Sequence, residues 1–414
     1  MAQKNKKVHA LQSPELAGGA GFTFEDAVGA FYLTALLEEG YAPGIESRIV
    51  CRVTLQQRNF GEPLDDVIVD FHDSSNQEAR LSLQVKSGLT VSAAKSNTDF
   101  REIIRDCWLT YQKPEFRKNA DRYGAAVGSI AKDKARALRS LCEFARESVT
   151  TSHFEARFAK GGNASVSLKA LRKDIIKLLT AAKTSGPSEQ EVHEFLAHFV
   201  LIEFDFLHSG AAHPAEAMNR LRECLVTDQA GQAPLFWMTL CRMVRESAGK
   251  SGEYDRIRLV REISRVVHLR GALSLRDDFE KITALAHTWA ADIQNDVGGA
   301  HLDRTALAAT LEKSIEESRF TQIIGLPGSG KSVLLRQRVD ADLGRGPVMF
   351  LKSDRLEGKS WASFASANGL SGASLTRLLV EIGAIGSKTQ PFQGHLILPS
   401  LRTREVATCR WAEL

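Results

Sequence analysis

The chain has 414 residues, room for two or three domains at roughly 100–200 residues each. Hydrophobic residues make up 43% and charged residues 25%, which excludes a largely disordered or fibrous chain. The net charge of +4 is small, but 18 Lys/Arg stand against 9 Asp/Glu between Arg101 and Lys183, a local basic excess suited to a polyanion.

Six cysteines without C-x-x-C spacing point to reduced thiols, not to a zinc ribbon or a disulfide scaffold. Met1 to Lys7 is polar and basic with no apolar run behind it, so no secretory leader is expected. The longest apolar stretch, Phe195 to Leu207, carries His198, Glu203 and Asp205 and is too short and charged to span a bilayer. No membrane partner and a cytoplasmic location are the expectations.

Residues 1–17 read as a loose leader, followed by a glycine cluster at Gly18, Gly19 and Gly21. Thr23 and Asp26 have the N-cap and N3 spacing of a capping-box variant and open a helix. Phe24, Val28, Phe31, Ala35 and Leu36 form its single apolar face, and Gly40 is its expected stop. Three strand-like runs follow, Ile45 to Leu55, Val67 to Phe71 and Leu81 to Lys86, the last two joined by a polar turn at Asp73 to Gln77. A helix over Thr98 to Gln112 and a strand over Tyr123 to Ile130 complete an α-β-β-β-α-β order, an α/β core. From about Ala131 to Arg319 the pattern is mostly helical, with one strand near Phe199 to Phe206.

Chemistry concentrates in Leu64-Asp65-Asp66-Val67 and Gln84-Val85-Lys86. With these runs paired as an antiparallel hairpin, alternation turns Val67, Val69 and Phe71 to the core and Asp66 and Asp70 to the other face. A turn centred at residues 75–76 then sets Asp66 against Gln84 to Lys86, so acid, amide and amine converge. Alternation puts Asp65 on the apolar side, although it rivals Asp66 as the ligand; Asp70 reads as a strand-end residue. Such a patch suits phosphodiester hydrolysis. Asp66 and the Gln84 carbonyl hold Mg²⁺ or Mn²⁺, which activates a water, while Lys86 orients that water and offsets transition-state charge. Glu25, in the first turn of the first helix, could add a carboxylate.

These residues resemble the PD-(D/E)xK nuclease superfamily in its Q-x-K form, and more narrowly the DNA endonuclease domain of bacterial CD-NTase-associated antiviral effectors. The resemblance covers about residues 18–155. It implies a restriction-endonuclease-like αβββαβ core that cuts double-stranded DNA with a divalent metal, matched at Asp66, Gln84 and Lys86. Gln84 stands where Glu is commoner, which removes one negative charge from the metal site.

Further along, Gly325-x-x-x-x-Gly330-Lys331-Ser332 satisfies the Walker A pattern between an apolar strand and a helix. Backbone N–H groups around Gly325, Gly328 and Gly330 would cradle the phosphates of ATP or GTP; Lys331 would reach the outer phosphates and Ser332 would hold Mg²⁺. Joined to a nuclease, this resembles the STAND-type regulatory NTPases of bacterial antiviral systems, which implies assembly, here as a homo-oligomer, on activation. That resemblance covers only about 319–385. The expected Walker B strand ending in Asp is missing: His395 to Leu398 is apolar without an Asp, and Ser387 to Leu414 has only Glu405 and Glu413 as acids. A frameshifted or truncated reading frame is therefore an expectation, with an unpaired, poorly ordered tail.

The domains expected are an endonuclease at 18–155, a mostly helical regulatory region at 156–318, a partial P-loop NTPase at 319–386 and an anomalous tail at 387–414. Two functions fit: a metal-dependent DNA endonuclease effector of antiviral defence governed by nucleotide, or a nucleotide-responsive assembly protein with an inactive nuclease-like domain. His193, His198, Trp237, Trp289 and Trp361 read as packing residues. Lys134, Arg136 and Arg139 are candidates for a DNA-facing helix.

Overall fold

The computed structural model describes residues 23–57, 60–182, 186–206, 212–247, 250, 252–297, 299–301, 304–317, 320–326, 328–342, 346–351, 360–385, 395–399 and 405–410. The expected leader and glycine cluster lie outside them. The chain divides into two compact units, Met1–Leu221 with Ala233–Arg256, and Arg222–Gln232 with Ile257–Leu414.

The first unit opens with α1 (Phe24–Glu38), whose capping box forms as read. Asp26 N–H donates to Thr23 Oγ1 at 3.2 Å and Thr23 N–H donates to Asp26 Oδ2 at 2.7 Å. Then come β1 (Ile49–Leu55), β2 (Val67–His72), β3 (Glu78–Lys86), α2 (Thr98–Tyr111) and β4 (Arg122–Val127), the expected α-β-β-β-α-β order. The β2–β3 turn is fixed by Asp73, whose Oδ1 accepts the N–H of Ser75 and of Gln77, each at 2.9 Å. Asn76 takes the left-handed backbone that this tight reversal needs, at φ +59°.

Beyond β4 run α3 (Lys132–Glu147), β5 (Phe199–Glu203), α4 (Ala233–Glu246) and β6 (Gly252–Asp255). The six strands form one mixed sheet in the order β5-β4-β3-β2-β1-β6. β1, β2 and β3 are antiparallel neighbours, whereas β3-β4 and β4-β5 are parallel. Parallel neighbours need a crossover, which α2 supplies between β3 and β4. The stretch expected to be a helical region thus lends both outer strands to the sheet. One apolar layer joins Ile103 and Trp108 of α2, Leu138 and Leu141 of α3, and Leu171, Ile175 and Phe195 to Tyr123, Val127 and Phe199 of the sheet.

Helix α1 differs from its expected amphipathic form: every residue from Asp26 to Leu37 is buried. The reason is α4, which comes from far along the chain and covers the face that the local pattern leaves to solvent. Contact is close at Gly29, where an added Cβ would stand 2.8 Å from Val244 Cγ1. The helix also ends one residue earlier than expected. Glu39, not Gly40, takes the left-handed cap at φ +53°, and Gly40 N–H bonds back to Ala35 O at 2.9 Å.

In the second unit, β7 (Phe320–Ile324) and α5 (Lys331–Asp342) flank the glycine loop. They are followed by β8 (Met349–Phe350), β9 (His395–Pro399) and β10 (Glu405–Arg410). The sheet order is β8-β9-β10-β7, with β9 parallel to β8 and antiparallel to β10, and β10 antiparallel to β7. The expected unpaired tail strand is therefore corrected at residues 395–399: its apolar run has a hydrogen-bonded neighbour on each side, because β10 folds back between it and β7. Among the described residues, no helix is long and apolar enough to cross a membrane.

Candidate active site and phosphate loop

The β2–β3 register pairs Val67 with Leu83 and Ile68 with Ser82. Continued by one position it sets Asp66 opposite Gln84, as alternation requires. The side chains do meet: Gln84 Nε2 donates to Asp66 Oδ2, and Val85 N–H donates to the same oxygen at 2.7 Å. Asp65, Asp66 and Gln84 are buried, and Glu25 and Lys86 are half-buried.

The electrostatics gather these groups into one site. Burial pushes the Asp66 carboxyl up to about 7, and the negative charges of Glu25 and Asp65 push the same way. The Val85 N–H and the Lys86 ammonium oppose them. Glu25 is also raised, by burial first and then by Asp26 and Asp65, while Lys86 and the Gln56 amide pull it down. Asp65 is buried and lies within electrostatic reach of Glu25 and Asp66. Asp65 and Asp66 both precede β2; the Gln57 N–H bonds to Asp65 O at 2.9 Å and the Gln56 N–H to Asp66 O at 3.3 Å.

Glu25, Asp65 and Asp66 lie within electrostatic reach of one another, with the Lys86 ammonium beside them. Gln84 Oε1 adds a sharper observation, for it is buried and has no hydrogen-bond partner. An amide oxygen left so loses on the order of 1–3 kcal/mol unless something else meets it. A hard divalent ion fits this set of oxygen donors: Asp66 carboxylate, Gln84 carbonyl and, within reach, Glu25. Among the described residues, no three His, Cys, Asp or Glu side chains are grouped to hold a metal, so the set of donors depends on the Gln84 amide oxygen.

Gln56 belongs to the site and escaped the sequence reading. Its backbone is left-handed at φ +55°, its N–H bonds to Asp66 O at 3.3 Å, and its side-chain amide donates to Glu25 Oε1. Nothing in the local pattern marks a glutamine for that backbone. Asp70 is committed elsewhere, in an ion pair with Arg80 at 2.8 Å. Lys134 and Arg136 are exposed on α3, but Arg139 is paired with Glu203 at 2.7 Å. His193 stacks on Phe154 with ring centroids 4.9 Å apart, a packing role.

In the second unit the loop closes on its own cation. Lys331 Nζ donates to Gly325 O at 2.8 Å and Leu326 O at 3.0 Å. Gly328 and Gly330 are left-handed, at φ +75° and +82°. Arg304 Nη1 donates to Ser329 O at 2.9 Å, and its guanidinium fills the space that a Cβ at residue 330 would need. Ser332 is exposed in the first turn of α5. The register places Glu405, the first residue of β10, beside Ile324, the last residue of β7 before the loop.

No protein-family description matches the chain, and no curated protein does. Among solved structures, the chain is similar to the Acinetobacter baumannii Cap4 SAVED/CARF-domain containing receptor with the cyclic trinucleotide 3'3'3'-cAAA, at 14% identity over 92% of this chain and 68% of that one, TM-score 0.35. It is also similar to the Moraxella osloensis Cap4 SAVED/CARF-domain containing receptor, at 14% identity over 92% of this chain and 70% of that one, TM-score 0.33.

Proposed function

We propose that the first unit is a metal-dependent double-stranded DNA endonuclease and that the glycine loop of the second binds ATP or GTP, together forming an antiviral effector controlled by nucleotide. The observation that carries the nuclease reading is the orphaned, buried Gln84 Oε1 beside Asp66, Glu25 and Lys86. A bound Mg²⁺ or Mn²⁺ would polarise the scissile phosphate and supply hydroxide near neutral pH. Asp66 and Gln84 would hold the ion, and Glu25 would complete the oxygen set. Asp66 must be ionised for this, so the ion and a proton compete for it. Lys86, at the end of β3, holds positive charge where the phosphorane builds negative charge and positions the attacking water. Gln56 steadies Glu25.

Support for nucleotide binding is the strand–loop–helix around Lys331, with two left-handed glycines and two cations on the loop. Phosphate would replace the carbonyls that Lys331 now contacts. The antiviral role rests on the resemblance of both motifs to effectors of bacterial antiviral systems.

Incubation of the full chain with duplex DNA and Mg²⁺ or Mn²⁺, alone and with ATP, GTP or 3'3'3'-cAAA, tests the reading. Cleavage should occur and should be lost in Asp66→Ala and Lys86→Ala variants that keep the parent's circular dichroism. Undiminished cleavage in both variants overturns the site. Nucleotide binding without any cleavage favours the nucleotide-responsive assembly protein instead.

A further inference from the structure

The first unit's sheet ends at β5, and a groove of about 700 Å³ runs along this edge, apart from the proposed cleavage site. Phe204 N–H donates across to Val127 O of β4 at 2.8 Å. In a parallel ladder a paired residue turns both backbone groups to one neighbour, and the next residue turns both away. Val200 and Ile202 therefore serve β4, whereas Phe199, Leu201 and Glu203 turn N–H and C=O into the groove. Arg146 Nη1 caps the Phe199 carbonyl at 3.1 Å. The outward groups of Leu201 and Glu203 meet no backbone partner among the described residues.

Walls flank this edge on both faces. Pro43 to Ile45 stand on one side, with Gly44 close enough that an added Cβ would meet Ile202 Cδ1 at 3.2 Å. Cys142, Glu143 and Arg146 of α3 stand on the other. Of the four arginines lining the groove, Arg139 is paired with Glu203 at 2.7 Å and Arg48 with Asp73 at 3.4 Å. Arg122 and Arg146 have no carboxylate partner among the described residues. Arg122 Nη1 rests on Asp121 O at 2.9 Å and on His198 Nδ1 at 3.1 Å. Burial and then the charge of Arg146 hold the Arg122 guanidinium below its usual range, so an anion between the two would relieve both.

We propose that this groove takes an extended acidic peptide of a partner protein, added as a strand to β5, with a carboxylate seated between Arg122 and Arg146. An added strand satisfies the outward donors and acceptors of Leu201 and Glu203 together. Nucleic acid fits less well, because phosphate offers only acceptors while this edge also presents carbonyls that need donors. The carboxylate is either an acidic side chain or the peptide's own C-terminus.

Fluorescence anisotropy on the full chain tests this with a labelled peptide of about nine residues, alternating valine and aspartate. It should bind, and its valine–asparagine counterpart should bind about tenfold more weakly. Amidation of the C-terminus weakens binding only if the terminal carboxylate is the one seated. Arg122→Gln and Arg146→Gln should each weaken binding about tenfold. Glu203→Pro removes an outward N–H but no bond to β4 and should abolish binding, whereas Glu203→Ala should retain it. Should Glu203→Pro fail to fold, amide exchange on the parent chain decides, since Leu201 and Glu203 must gain protection with peptide. Equal binding of the two peptides, no added protection at Leu201 and Glu203, or displacement of the peptide by short duplex DNA would each overturn the proposal.

Discussion

Asp66 sets how the first unit responds to pH. Its carboxyl titrates near 3.8 when unfolded and at about 7 when folded, so the folded chain holds the proton more tightly. The resulting stability is complete below the unfolded value and is lost as pH rises through 7. Asp66→Asn should therefore stabilise the metal-free protein at pH 8 by about 2–4 kcal/mol, shrinking toward zero near pH 4. Urea denaturation in EDTA at several pH values checks both size and direction. A gain independent of pH would mean that the Asp66 carboxylate is not strained by burial and its acidic neighbours. Metal reverses the preference, because only the ionised carboxylate ligates. Affinity for Mn²⁺, read by calorimetry, should fall about tenfold per pH unit below 7.

At the scale of elements, the α1–α4 contact decides how the buried helix is held. Gly29 leaves no room for a methyl group against Val244. Gly29→Ala should lose about 1–3 kcal/mol by overpacking, even though alanine is the better helix former. Val244→Ala in the same chain should return part of that loss, giving a coupling of about 1 kcal/mol in a double-mutant cycle. Strict additivity would show that the helices relax apart. The β2–β3 hairpin was legible because its turn and alternation agree, and both place Asp66 by Gln84. The electrostatic reach of Asp65 was not legible, because it depends on how near Glu25 of α1 comes, and α1 is distant in the chain.

For the whole molecule, a ligand held by one of the two units should show first in the stability of that unit. ATP at about 100 times its Kd should add about 2.7 kcal/mol to the second unit, raising its calorimetric transition. Lys331→Ala should remove this shift and, with it, any response of metal-dependent cleavage to added nucleotide. A shift that persists in Lys331→Ala would place the nucleotide away from the loop. Hydrolysis is a separate matter. With β10 between β7 and β9, the register sets Glu405 beside Ile324, at the strand end that leads into the loop.

Local chemistry by itself determined the α-β-β-β-α-β order, the N-cap at Thr23, the pairing of Asp66 with Gln84 and the loop around Lys331. Each depends on neighbours within one turn, hairpin or loop, where spacing and residue type are sufficient. Only the tertiary structure decided that α1 is buried all round, that β5 and β6 widen the sheet to six strands, and that Gln56 reaches Glu25. These depend on chain segments tens to hundreds of positions apart, and no periodicity reports which distant surface will cover a helix face. The tail is of the same kind: residues 395–399 read as an edge strand because β10, which lies between them and β7, is itself held by that earlier strand.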